Sequence, residues 1–142
     1  MLLIAMTVII AAVTIGASGK SYTKVSPHPF EDIRGLKERT ETRPVSTNVF
    51  AVIVMPIIGN IALFIPWAML LFISLYSVDR PTPQTYLLTI LLGLSFTIGI
   101  EAWQYFLPSR VVDINDVIWN SVGTVIGALL GHMRLRMRLE FA

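Results

Sequence analysis

The 142-residue chain has no cysteine. That excludes a disulfide framework, an iron–sulfur site and a thiol nucleophile, and it leaves the redox compartment open. Charge is scarce too. Asp, Glu, Lys and Arg make up 14% of the residues, where soluble domains carry about a quarter. The chain contains no P-loop, GxGxxG, HExxH or GxSxG pattern, no internal repeat and no low-complexity tract. The net charge of +2 is too small for a nucleic-acid footprint. The basic residues sit near the ends of apolar runs, which suits lipid headgroups.

What is present is hydrophobic. Apolar residues reach 54%, and the mean hydropathy is +0.70. Uncharged runs cover Met1–Gly19, Pro44–Val78, Pro81–Ile100 and Val117–Met133. A membrane span needs about 20 such residues. The expected fold is all-α: a single-domain, multi-pass bundle of four transmembrane helices. The helices are expected at about 2–17, 58–76, 85–106 and 116–132, with a basic surface tail over 133–142. Met1–Ser18 has the apolar core and small residues of a signal peptide, but no Lys or Arg precedes that core. A retained first helix is therefore favoured.

The run Pro44–Val78 is too long for one straight span of a hydrocarbon core about 30 Å thick. Pro56, Gly59 and Asn60 mark the expected break, and Pro66 an expected kink. The loop Ser18–Thr47 contains "SPHPFEDIRGLKERTETRP", with six Lys/Arg and four Asp/Glu in the whole loop. Phe30 and Ile33 are spaced like the buried edge of a short interfacial helix. His28, between two prolines and with no second ligand type beside it, reads as a headgroup-level loop residue.

One stretch breaks the apolar pattern: "IEAWQYFLPSRVVDINDVIWN", Ile100 to Asn120. Glu101 and Gln104 share a helix face, and Asp113, Asp116 and Asn120 share another. A hairpin at Pro108 would bring the two faces together, with Arg110 between them. Ionisable groups inside a membrane are expensive and mark function by default. A helix staple needs one polar pair, and six polar side chains exceed that. Asn60 is either a cap, an interhelical bond or a third wall of the same pocket. Asp113 or Asn115 would cap helix 4. Gly123, Gly127 and Gly131 form a small-residue stripe for close packing against helix 2 or helix 3. Trp103 and Trp119 suit an interfacial belt, while Trp67 should sit deeper.

These residues resemble the VanZ-like family of small membrane proteins, named for an accessory protein of glycopeptide-antibiotic resistance clusters. The family pattern is E-x-x-Q, a Pro-containing turn, R-x-x-D-x-x-D and N-x-x-G-x-x-x-G. Here it reads Glu101, Gln104, Pro108, Arg110, Asp113, Asp116, Asn120, Gly123 and Gly127. Asn60, Phe64 and Pro66 in "NIALFIPWAMLL" resemble a second element, with Ala68 where the family usually has Gly, and "SPHPFEDI" resembles a third. The resemblance spans about Ser26 to Gly131. It implies a helical membrane bundle with this motif at the extracytoplasmic face and both termini inside. A plain count of basic residues argues the other way, because six of them lie in the first loop.

Two functional classes follow. In the first, the protein is an enzyme acting on an amphiphilic cell-envelope lipid or lipoglycopeptide. Glu101 would then be the general acid or base, and Asp113 and Asp116 the second acid or the ligands of a divalent cation. Arg110, Gln104, Asn120 and Asn60 would bind substrate, with Arg110 suited to a phosphate or carboxylate. In the second, the same residues bind such a molecule without changing it, or clasp helices in a larger assembly. A membrane lipid or amphiphile is the expected partner, in the plasma membrane. Nucleic acid is not expected. The metal, the substrate and self-association are left open.

Overall fold

A computed structural model describes residues 1–16, 25–26, 28–30, 33–34, 37, 47–77, 79–107 and 112–140. Among them are four helices of fifteen residues or more: α1 (Leu2–Gly16), α2 (Thr47–Leu75), α3 (Thr82–Tyr105) and α4 (Ile114–Glu140). Two short strands, β1 (Val25–Ser26) and β2 (Val112–Asp113), pair in parallel, with Val25 opposite Val112.

The fold is all-helical, as expected, but two boundaries differ. The expected break at Pro56, Gly59 and Asn60 is absent, and α2 runs unbroken through Pro56 and Pro66. Each proline forfeits one backbone bond. Unwinding the helix would forfeit several where lipid offers no replacement. The second correction is the tail. Helix α4 continues to Glu140 instead of ending near His132. The segment after His132 has no Gly or Pro, and Arg, Leu and Met are good helix formers, so nothing stops the helix there.

The segments Ile53–Leu75 and Thr82–Tyr105 are long and apolar enough to cross a membrane, and Leu2–Thr14 is a shorter apolar helix. Helix α3 shows what solvent the bundle is built for. Its buried face is Thr85, Thr89, Gly93, Thr97, Ile100, Glu101 and Gln104. Its outer face is Leu87, Leu91, Leu94 and Ile98, with Leu87 58% and Ile98 51% exposed. A helix in water turns the opposite way. Leucine outside and threonine inside fits a lipid surround.

Contacts fix the direction of each helix. Gly123, Gly127 and Gly131 of α4 meet Ile61, Ile65 and Met69 of α2 in turn, so α2 and α4 run parallel. Thr97 pairs with Asn120, and Tyr86 with His132, so α3 runs antiparallel to α4. Helix α1 runs with α3: Thr7 accepts from Trp67, and the Thr14 carbonyl accepts from Gln104. Successive helices thus run in opposite directions, α1 and α3 one way and α2 and α4 the other. The glycine stripe packs on α2, settling which of the two candidate helices it faces. The core is Ile10, Phe64, Trp67, Ala68, Leu71 and Ile100, with Trp67 stacked on Phe96 at 5.0 Å. Trp67 is buried in this core and Trp103 is exposed on the outside of α3.

Candidate functional site

The turn between α3 and α4 is organised by its own polar groups. Asp113 is the cap of α4: its Oδ1 accepts the Asn115 backbone N–H at 2.9 Å. That satisfies one of the four amides a helix start leaves unpaired. The Asp113 backbone N–H points back across the turn and donates to Glu101 Oε2 at 3.1 Å. One residue therefore starts α4 with its side chain and holds Glu101 with its backbone. Asp113→Ala is expected to destabilise the protein by about 1 kcal/mol, while Asp113→Asn, which caps equally well, stays near wild type. Unfolding midpoints of the three proteins in one detergent decide it; equal midpoints for Ala and Asn would remove the cap from the account.

Glu101 is 5% exposed, on the inner face of α3. Asp116 lies in the first turn of α4, and its Oδ1 accepts from Asn60 Nδ2 of α2 at 2.5 Å. Of the alternatives for Asn60, the structure shows the interhelical bond. Three elements converge here: Glu101 from α3, Asp113 and Asp116 from the start of α4, and Asn60 from α2. Arg110 and Pro108 lie outside the described residues.

Two expected members turn elsewhere. Gln104 shares its face with Glu101, yet its Nε2 donates to the Thr14 carbonyl of α1 at 3.0 Å. Asn120 sits one turn deeper than Asp116 and donates from Nδ2 to Thr97 Oγ1 at 2.8 Å. The polar residues thus form a column along the bundle rather than one ring. Among the described residues, no group of three or more His, Asp or Glu side chains comes together as a metal-binding cluster.

Described pieces of the first loop, Val25–Ser26 and Phe30, meet this end. The Phe30 N–H donates to Asn115 Oδ1 at 2.7 Å, and the Phe30 ring sits edge-on to Trp119 at 6.1 Å. Phe30 adopts φ 62°, a left-handed conformation uncommon for an aromatic residue. With the β1–β2 pairing it straps the loop to the start of α4. Phe30 and Ile33 are 43% and 40% exposed. His28 is exposed, consistent with a loop residue.

Sequence reasoning missed Asn115 as the loop's anchor and the threonine column of α3. The first carries no local signal, since its partner is 85 residues away. The second was readable: Thr85, Thr89, Gly93, Thr97 and Glu101 recur every four residues.

A family model described as VanZ/LLP1 matches residues 1–135. No curated protein and no solved structure matches the chain.

Proposed function

Since the chain belongs to the VanZ/LLP1 family, we propose that it is a multi-pass protein of the plasma membrane whose Glu101 end takes the polar part of an amphiphilic cell-envelope lipid or lipoglycopeptide. All four helices would cross the bilayer, and the loop strapped by Phe30 would lie at the extracytoplasmic face. The observation that carries this reading is the convergence of Glu101, Asp113, Asp116 and Asn60 under that loop, at one end of a bundle that exposes leucine.

In this reading Glu101 is the acid–base group. It accepts a backbone amide hydrogen bond and is shielded from bulk water, and a positioned carboxyl is one of the groups that serve as general acid or base. Asp113 and Asp116 supply the second acid. Alternatively they hold a divalent cation whose remaining ligands come from water and substrate oxygens, as is usual for magnesium. Arg110 would grip a phosphate or carboxylate. Contributions to role in glycopeptide resistance would follow from capture or modification of such an amphiphile.

A second reading has its own support. Gln104 and Asn120 both spend their amides on neighbouring helices, which is what a helix-packing or interaction protein would do. Glu101→Gln separates the two. Glutamine keeps an oxygen for the Asp113 amide but loses the charge. Labelled envelope lipids incubated with purified protein, with and without magnesium, are expected to be retained by wild type. Glu101→Gln should retain them about tenfold less, a loss of about 1.4 kcal/mol, with an unchanged unfolding midpoint. A modified lipid that Asp113→Asn eliminates establishes catalysis, and a retained but unmodified lipid establishes a binder. Equal retention by wild type and Glu101→Gln leaves the packing reading.

A further inference from the structure

An open groove of about 530 Å³ lies between α3 and α4, walled by α4 from Val117 to Ile126 and by Leu94 of α3. Its lining is almost wholly apolar. The one hydroxyl in it is turned away, because Ser121 Oγ donates to the Val117 carbonyl of its own helix at 2.7 Å. Ser121 is also the smallest side chain of the lining, and so leaves room. Val117, Ile118, Val122, Val125 and Ile126 are all β-branched and stiff at χ1. This wall therefore holds its shape, whereas the neighbouring outer face of α3 is built largely of leucine.

On a membrane bundle such a groove ordinarily holds whichever boundary lipid drifts past. Two features set this one apart. The first is where it starts. Val117 follows Asp116 directly in α4, so the head of the groove adjoins the end where Glu101, Asp113 and Asp116 converge. The second is how far it runs. From Val117 to Ile126 is about 14 Å by helical rise, close to one leaflet of a hydrocarbon core about 30 Å thick. Its deep end lies at mid-bundle: Gly93, beside Leu94, packs on Thr124, and residues 93 and 94 are the centre of the 24-residue segment Thr82–Tyr105. At the Glu101 end of that segment Trp103, Tyr105 and Phe106 are exposed, and exposed aromatic residues sit at headgroup level. The groove thus starts below the headgroups and stops at the bilayer centre, as a lipid tail does.

We propose that this groove seats one hydrocarbon chain of the amphiphile whose polar part is taken at the Glu101 end. This rests on the reading of that end given above and on the chain crossing the bilayer. The ligand is then a lipid of the leaflet on the Glu101 side. It enters sideways between α3 and α4 and keeps its tail in the bilayer throughout. Its polar part sinks only from the level of Phe106 to that of Glu101, about 8 Å by helical rise. Lipid tails are as apolar as valine and isoleucine, so the hydrophobic effect does not favour the groove over the surrounding lipid, and packing against a fixed wall does. The seated chain also acts as a tether that raises the local concentration of the polar part beside Glu101. A headgroup without a chain has neither advantage.

The test uses the purified full chain in detergent with labelled total envelope lipids, and with the water-soluble headgroups released from the same lipids by deacylation. Wild type is expected to retain the lipids and not the headgroups. Ser121→Phe fills the groove and should lower retention about tenfold through loss of the tether, with an unchanged unfolding midpoint. Leu91→Phe, on the outer face of α3, should retain as wild type does. Val125→Phe, at an exposed position of the wall, replaces Ser121→Phe if that protein does not fold. Wild-type retention by the groove variant while Glu101→Gln loses the lipid overturns the chain site and spares the polar one. Loss in the groove variant with full retention by Glu101→Gln does the reverse. Equal retention of headgroups and lipids overturns the chain site, and no retention by wild type overturns both. The chain has no cysteine, so Ser121→Cys supplies a single thiol; a disulfide-linked dimer of that protein in vesicles would put a second copy in the groove and overturn the proposal.

Discussion

Gly127→Val is expected to take the bundle apart, at about 3 kcal/mol or more, because the space beside Gly127 is filled by backbone. A Cβ at Gly127 would collide with the Ile65 carbonyl oxygen, and would lie 2.8 Å from Ala68 Cβ and 3.0 Å from the Met69 nitrogen. Overpacking that flexible side chains can absorb costs about 1–3 kcal/mol. A carbonyl inside a helix cannot swing away, so the two helices must separate. The same stripe provides its own gradient. At Gly123 the nearest obstacle is the Ile61 carbonyl oxygen at 2.6 Å, and at Gly131 the Met69 carbonyl oxygen at 3.0 Å. Alanine should therefore be worst at 127, nearly as bad at 123 and mildest at 131. Gly59 and Gly99 have nothing within 4 Å of an added Cβ. Alanine there should be neutral, or stabilise by about 0.5–1 kcal/mol through helix propensity. Unfolding midpoints of the five alanine variants and Gly127→Val in one detergent series check the order. If Gly127→Ala unfolds where Gly59→Ala does, α2 and α4 do not meet as described.

That stripe was legible because a period of four is a local signal, readable without knowing the partner. The polar turn was legible for the same reason. Glu101, Asp113 and Asp116 announce themselves by the cost of placing charge in an apolar chain. What the spacing could not convey is where each side chain ends up. Gln104 and Glu101 share a helix face, yet one reaches α1 and the other the turn, because their partners lie 90 and 12 residues away. The break expected at Pro56 illustrates a different limit. Proline is a stop signal when water can take the freed backbone groups, and it is a weak one in lipid. The threonine column was hidden by habit: polar residues at helical spacing read as an outer face in water, and here they form the inner one.

Helix α1 is the element whose place in the protein the sequence left most open, and the structure ties it in at three levels. Ile10 is fully buried in the core. The Trp67 indole N–H finds its acceptor on Thr7 at 2.9 Å, and the Gln104 amide finds its own on the Thr14 carbonyl at 3.0 Å. Removing α1 as a signal peptide would strip both donors of their acceptors in the interior of the bundle. We therefore expect protein purified from membranes to retain α1, as mass measurement would show. A chain lacking residues 2–16 should fail to reach the full chain's unfolding midpoint. Point variants separate the contributions. Lipid is as apolar as the pocket Ile10 fills, so the water-transfer part of a large-to-small substitution drops out and packing remains. Ile10→Ala should then cost about 1–2 kcal/mol, below the 2–5 typical of a core in water. Thr7→Val leaves the Trp67 N–H without an acceptor at similar shape and should cost about 0.6–1.7 kcal/mol, the range of interhelical hydrogen bonds in membranes. Val8 and Val13, which face outward at 61% and 48% exposure, should accept alanine with little effect. A truncated chain as stable as the full one would show that α1 only rests on the bundle. Full stability with Ile10→Ala would say the same of its central contact.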